Sequence, residues 1–263
     1  MSDVGKTNYK SLQIKAETKT ARHGLYALVA YTYSRTYDNG LSDGLGSEVS
    51  APYFPLPNWQ NLDWSLSQIN LDQSFSGSAI YDLPFGKGRA FGNSWNSLAN
   101  MFLGDYQVTL IERVSSGFPV PLIDSNNQAG QGYNYFENGG NDNNFNRPDR
   151  VSGCDPYAAN HSQHQWINSA CFVAPAVGEL GDAARVPVVG PDFVNSDFSV
   201  IKDFPLAWRD HGAGVNFRAE FFNLFNHPQY GMPISDINAA GFGSVSSTVN
   251  NPRLVQLALK LSF

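Results

Sequence analysis

The sequence predicts an all-β fold: an antiparallel, up-and-down wall of about seven strands, part of a larger barrel. Three observations predict it. Apolar residues recur with period two, short and long connections alternate, and the final segment stays apolar on one face to its aromatic end. In that segment, Pro252 to Phe263, residues Val255, Leu257, Leu259, Leu261 and Phe263 share one parity. Gln256, Ala258, Lys260 and Ser262 share the other. A strand points successive side chains to opposite faces, so one face is apolar and the other mostly polar. Soluble chains usually fray into polar residues at a terminus. A strand that stays apolar to a closing Phe is expected of an outer-membrane β-barrel with aromatic girdles. An amphipathic strand of a soluble sandwich is the alternative.

The first strand sets Leu12, Ile14 and Ala16 against Ser11, Gln13, Lys15 and Glu17. A short turn through Thr20 to Gly24 leads to the second, with Leu25, Ala27, Val29, Tyr31 and Tyr33 on one face. Tyr26 and Leu28 make its opposite face imperfect. Its tyrosines precede a long loop from about Arg35 to Asn70, as in an interfacial girdle. The third strand opposes Phe75, Gly77, Ala79, Tyr81 and Leu83 to Ser74, Ser76 and Ser78, and ends in a turn-rich Pro84–Arg89 segment. The fourth carries Tyr106, Val108, Leu110 and Val114; Glu112 interrupts that face, which predicts a bulge or a slipped register. From about Ser115 to Phe193 periodicity almost vanishes. So long a loop is expected to be functional, disordered, or both. The fifth strand, near Val194 to Leu206, has Phe198, Val200, Phe204 and Leu206 in phase, with Lys202 out of character. After a short turn, the sixth opposes Val215, Phe217, Ala219 and Phe221 to Asn216, Arg218 and Glu220. A loop from Asn226 to about Asn251 precedes the closing strand. Short turns at one end and long loops at the other match the periplasmic and extracellular ends of an outer-membrane barrel.

Composition agrees. The 263 residues suffice for one domain, taken as 1–263. Only 15% of residues are charged and 13% are aromatic. Mean hydropathy is −0.30, and no apolar run approaches the roughly 20 residues of a spanning helix. Any membrane crossing is therefore by strands, whose alternation hides their hydrophobicity. A net charge of −6 argues against nucleic acid as a partner. The start, MSDVGKTNYK, has no apolar h-region, so the chain is expected to be either cytoplasmic or the downstream part of a longer protein. The strand pattern favours the second. Cys154 and Cys171 lie in one irregular region, and such a pair in an exported protein predicts a disulfide.

Several segments, in order, resemble the carboxy-terminal part of the TonB-dependent receptors, specifically the Oar-like group. They include Ala30–Ser34 (AYTYS), Ile80–Arg89 (IYDLPFGKGR), Trp166–Asn168 with Phe172–Pro175, Gly190–Pro191 with Asn195–Asp197, and Phe242–Gly243. The most specific is Phe217–Pro228 (FRAEFFNLFNHP), and the Pro252–Phe263 ending completes the set. The resemblance implies the last third of a plugged barrel of about 22 strands. It implies as partners outer-membrane lipid, the barrel-assembly machinery, the remaining strands and plug, and TonB through that plug alone. Leu257, Leu259, Leu261 and Phe263 would form the carboxy-terminal assembly signal. This polypeptide departs from the pattern in lacking the plug, the TonB-contacting segment and most strands, so it is not expected to transport alone.

No catalytic constellation stands out, and no enzyme activity or cofactor is expected. His161 and His164 form an H-x-x-H without the Glu of a zinc protease, and are read as polar loop residues. The Glu137–Asn144 stretch offers oxygens but lacks calcium-loop order, so turn chemistry is expected. Gly86-Lys87-Gly88 is no phosphate loop, and no serine sits in a G-x-S-x-G elbow. Arg218 and Glu220, on the face opposite the aromatic stripe, are expected to face the lumen, either against a plug or in a cross-strand ion pair. A soluble or surface carbohydrate-binding β-protein is the competing reading, suggested by Trp59, Trp64, Trp166 and the Asn-rich loops.

Overall fold

A computed structural model describes residues 5–18, 24–39, 63–126, 146–205 and 214–262. Seven long strands form one meandering sheet: β1 (Thr7–Glu17), β2 (Leu25–Asp38), β3 (Gln73–Asp82), β4 (Tyr106–Ser115), β5 (Phe193–Pro205), β6 (Gly214–Phe222) and β7 (Leu254–Ser262). Each pairs antiparallel with its neighbours in sequence, and the two-residue piece Ser65–Leu66 adds to the end of β2. The wall is open: no pairing joins β7 to β1 among the described residues.

Every ladder between the long strands runs in unbroken register, which carries the alternation of each strand across the whole sheet. One transverse row is Ala27, Ala79, Leu110, Phe198, Phe221 and Val255; the next is Leu25, Tyr81, Val108, Val200, Ala219 and Leu257. The opposite face carries rows such as Gln13, Thr32, Ser74 and Ser115, and Thr109, Ser199, Glu220 and Gln256. One face is thus mainly apolar from edge to edge, and the other mixes polar residues with Tyr26, Leu28, Ile80, Ile111 and Ile201. Among the described residues, the apolar face carries no second layer over its last strand, where Leu257 is 67% and Leu259 74% exposed. A soluble sheet buries that face under a second layer.

The predicted bulge at Glu112 is absent. Glu112 sits in the regular ladder between Gly77 and Ser196, near the loop end of β4. Gly77 has no side chain, and a Cβ there would meet the Phe75 ring at 3.2 Å, so that ring leans over the gap. The small neighbours on both sides let a carboxylate share an apolar face without breaking the ladder.

Two connections differ from expectation. The β3–β4 connection is more than a turn: it contains a helix, α1 (Ser97–Leu103), capped by Asn96, whose side chain accepts from Ala99 N at 2.7 Å. The β4–β5 connection is ordered over its described parts. It forms three small ribbons: Pro119–Val120 with Val188–Val189, Asp149–Arg150 with Phe172–Val173, and Tyr157–Ser162 with Gln165–Ile167. The main buried apolar cluster, Val120, Leu122, Ile167, Cys171, Phe172, Ala183 and Val188, lies wholly in this connection and not in the wall.

Candidate functional site: a folded cap at the long-loop end

The three long connections converge on one end of the wall and fasten to it. Asp38, the last residue of β2, is buried on the polar face, where Arg185 donates to its carboxylate and, at 3.0 Å, to its carbonyl. A second buried pair joins Arg147 to Asp63. Burial pushes the Arg147 guanidinium down to about 10, while Asp63 pulls it back up. It remains charged at neutral pH, and the pairing with Asp63 offsets part of the cost of burying it. Asp124 joins three segments: its backbone exchanges hydrogen bonds with Asn146, and its carboxylate accepts from Asn238 Nδ2 at 2.6 Å and from Asn126 N at 3.1 Å. Gln229, fully buried, uses its side-chain amide as a piece of strand: Oε1 accepts from Val194 N at 2.6 Å, and Nε2 donates to Val194 O.

The Phe217–Pro228 segment has a local physical reason. Its first half is β6. Its second half is the exit from β6, where Asn223 and Asn226 take left-handed backbone conformations, φ 51° and 52°. Asn tolerates that region better than most residues. Asn223 N donates to Asp197 on β5, and its side chain donates to the carbonyls of His227 and Asn251. Leu224 N reaches Ser196 O, and Arg253 N donates to Asn226 Oδ1. The motif is a knot that binds the loop ends of β5, β6 and β7.

Cys154 and Cys171 are joined by a disulfide, with Cα atoms 5.4 Å apart, at the edge of the cap's apolar cluster. Arg218 and Glu220 lie on the polar face and pair with each other at 3.4 Å along one strand, not across two as expected. The partner across β5 from Arg218 is Ile201, which offers no charge. Leu257, Leu259 and Leu261 continue the apolar face beside Ala219, Phe217 and Val215. Phe263, Trp59 and the Glu137–Asn144 stretch lie outside the described residues. His161 sits edge-on to Trp166, ring centroids 4.7 Å apart, while His164 lies in the turn of the same ribbon beside Gln163. No group of three or more His, Cys, Asp or Glu suited to a metal occurs among the described residues.

Of the tryptophans named above, Trp64 and Trp166 lie among the described residues, at different places in the fold. Trp166 donates its indole N–H to Val189 O at 2.9 Å and packs against the cap's core. Trp64 stacks on Tyr37, which projects from the apolar side of β2. Sequence reasoning missed the cap's fastenings, Asp38, Arg185, Asp63, Arg147, Asp124 and Gln229. No spacing rule connects these residues; the one hint was a pair of arginines, Arg147 and Arg150, within an Asn-rich, weakly charged stretch.

A continuous, mainly apolar wall face, a more polar opposite face, a turn and a helical connection at one end and a folded cap at the other describe a membrane β-barrel wall. The chain matches the model of the family described as outer membrane beta barrel domain over residues 1–256, and it belongs to that family. It is a partial all-β barrel of the bacterial outer membrane, its apolar face turned to lipid and its cap outside the cell. Neither the curated proteins nor the solved structures include a match to it. Membership displaces the soluble carbohydrate-binding alternative.

Proposed function

We propose that this chain is the carboxy-terminal wall and external cap of a TonB-dependent transporter of the Oar-like group, which takes up a bulky substrate through its long loops. The observation that carries this reading is the knot at Asn223–Pro228. The sequence segment most specific to that group is the one that fixes the cap to the wall. The polar inner face supports it. Arg113, Asp197, Arg218, Glu220 and Lys260 point away from lipid, toward the space a plug would fill. Under this reading the remaining strands pair with the free edges of β1 and β7. An unpaired edge in hydrocarbon costs several kcal/mol per backbone group. The β7 residues Leu257, Leu259, Leu261 and Phe263 present the wall to the barrel-assembly machinery, and TonB acts only through the plug.

Two measurements test the proposal. The reading frame upstream of this segment should encode a plug domain and a TonB-contacting segment. Deleting the gene and deleting TonB should abolish uptake of the same substrates from a panel of oligosaccharides, peptides and iron chelates. Uptake that survives loss of TonB, or a frame without a plug, would show a barrel of another class.

A further inference from the structure

We infer that α1, with Phe85 and Phe91, is an interfacial anchor lying in the phospholipid leaflet at the short-turn, periplasmic end of the wall. The inference rests on the barrel class and not on what the loops take up.

The helix is built inside out for a water-facing element. Leu98, Met101 and Phe102, at i, i+3 and i+4, share one side. They are 69%, 48% and 63% exposed; Leu103, nearer to Asn100 around the helix, is 59% exposed. Asn100, on the other side, faces the protein. Asn100 Oδ1 accepts from Lys87 N at 2.6 Å, and its Nδ2 donates to Asp105 at 3.0 Å. No residue of the helix is buried. A surface helix in water turns its apolar stripe inward; this one turns it outward, so its medium is apolar.

The wall places the helix on the lipid side. Tyr106 Oη donates to Phe102 O at 2.8 Å, and Lys202 Nζ donates to Gly104 O, so both hold the carboxy-terminal end of α1. Tyr106 and Lys202 are direct partners across β4 and β5, in the apolar row that continues to Phe217 and Leu259. The helix patch is therefore continuous with the face already in lipid. This also accounts for Lys202, the residue out of character in β5. It is buried, its ammonium lies 5.0 Å from the Tyr106 ring centroid and 5.4 Å from that of Phe204, and it reaches the helix carbonyls instead of hydrocarbon. Phe85 and Phe91, ring centroids 5.7 Å apart and both exposed, extend the patch along the same connection. Lys87, whose ammonium donates to Ser97 at 3.4 Å at the start of α1, and Arg89, 3.8 Å from Asp82 and 3.6 Å from Asp105, lie in the same connection and supply cations for the headgroup level. An amphipathic element with its apolar side at the acyl boundary and cations at headgroup level is the arrangement of a membrane-surface helix.

The test is site-directed spin labelling of the protein expressed from its whole reading frame, so that the wall is assembled with its neighbouring strands, in vesicles of phosphatidylethanolamine and phosphatidylglycerol. Single cysteines replace Leu98, Met101 or Phe102, with Glu179, exposed in the cap, as the water-facing control and Leu259 as the lipid-facing control. The native cysteines are disulfide-bonded and take no label. Collision with oxygen is compared with collision with a water-soluble nickel chelate. Labels on α1 should favour oxygen over nickel severalfold more than the Glu179 label does, approaching Leu259. Nickel access equal to that at Glu179 would place the helix in water and overturn the inference. Exclusion of both reagents would mean that a protein surface covers the helix, and would overturn it equally. The three side chains are exposed, so labelling them disturbs little packing. A Leu259 label added to each α1 variant confirms that its wall is inserted.

Discussion

Replacing Arg185 with Met should release the cap while leaving the wall assembled. Arg185 and its partner Asp38 are both fully buried, and the pair joins the β4–β5 connection to the end of β2. Methionine nearly fills the volume but leaves the Asp38 carboxylate without that cation. Breaking a buried pair from one side costs about 3–5 kcal/mol. At about 1.4 kcal/mol per tenfold change, the opening constant of the cap rises by roughly two to four orders of magnitude. The assay is amide exchange on protein in membranes, followed at the cap hydrogen bonds Ala183 N to Pro148 O and Gly190 N to Phe118 O. Those amides should lose protection, while amides of the β5–β6 ladder should keep theirs. The double variant Asp38→Leu with Arg185→Met should recover part of the loss, because neither member of this pair is then left facing its missing partner. Unchanged protection in Arg185→Met, or equal loss in cap and wall, would refute the assignment of this pair as the fastening between them.

Replacing Val255 with Arg should impair membrane assembly by about 2–4 kcal/mol, read as a lower yield of inserted protein, since its row with Leu110, Phe198 and Phe221 crosses the middle of the wall's apolar face. Converting Cys154 and Cys171 to Ser should destabilise the cap by about 3 kcal/mol in the chain-entropy model for a separation of 17 residues, seen as faster cap proteolysis. Gly181→Ala should open the same region, because a Cβ would stand 1.8 Å from the Arg147 carbonyl oxygen; overpacking of this kind costs about 1–3 kcal/mol or more. Asn223→Ala should loosen the loop ends of β5 and β7 together, with amide exchange rising at both.

The wall was legible because each strand's alternation is a local signal that the register then repeats. Lys202 and Glu112 looked like violations for lack of two facts that are not local: the helix carbonyls above Lys202, and the glycine and serine flanking Glu112. The helix itself escaped notice. Seven residues give barely two turns, and its apolar side points away from the protein, so it adds nothing to a core. The cap was illegible for another reason. It is held by single polar contacts between distant segments, and a lone Asp or Arg in an Asn-rich stretch carries no period. The Asn223–Pro228 knot was noticed only through resemblance, although the left-handed asparagines give it a physical basis.

The fastenings of the cap also impose an order of events. Asp38 and Arg185 are 147 residues apart in the chain, and Asp124 and Asn238 are 114 apart. Contacts of such separation form only after the intervening chain has been gathered, here by laying β2 through β6 side by side. The β4–β5 connection must therefore reach the cell exterior before its buried charges find their partners. The 17-residue disulfide loop is different, since it can close early and cross as a compact unit. A closed cap thus records that the strands beneath it are already in place, and resistance of intact cells to surface protease becomes a readout of the wall, although the protease never touches it.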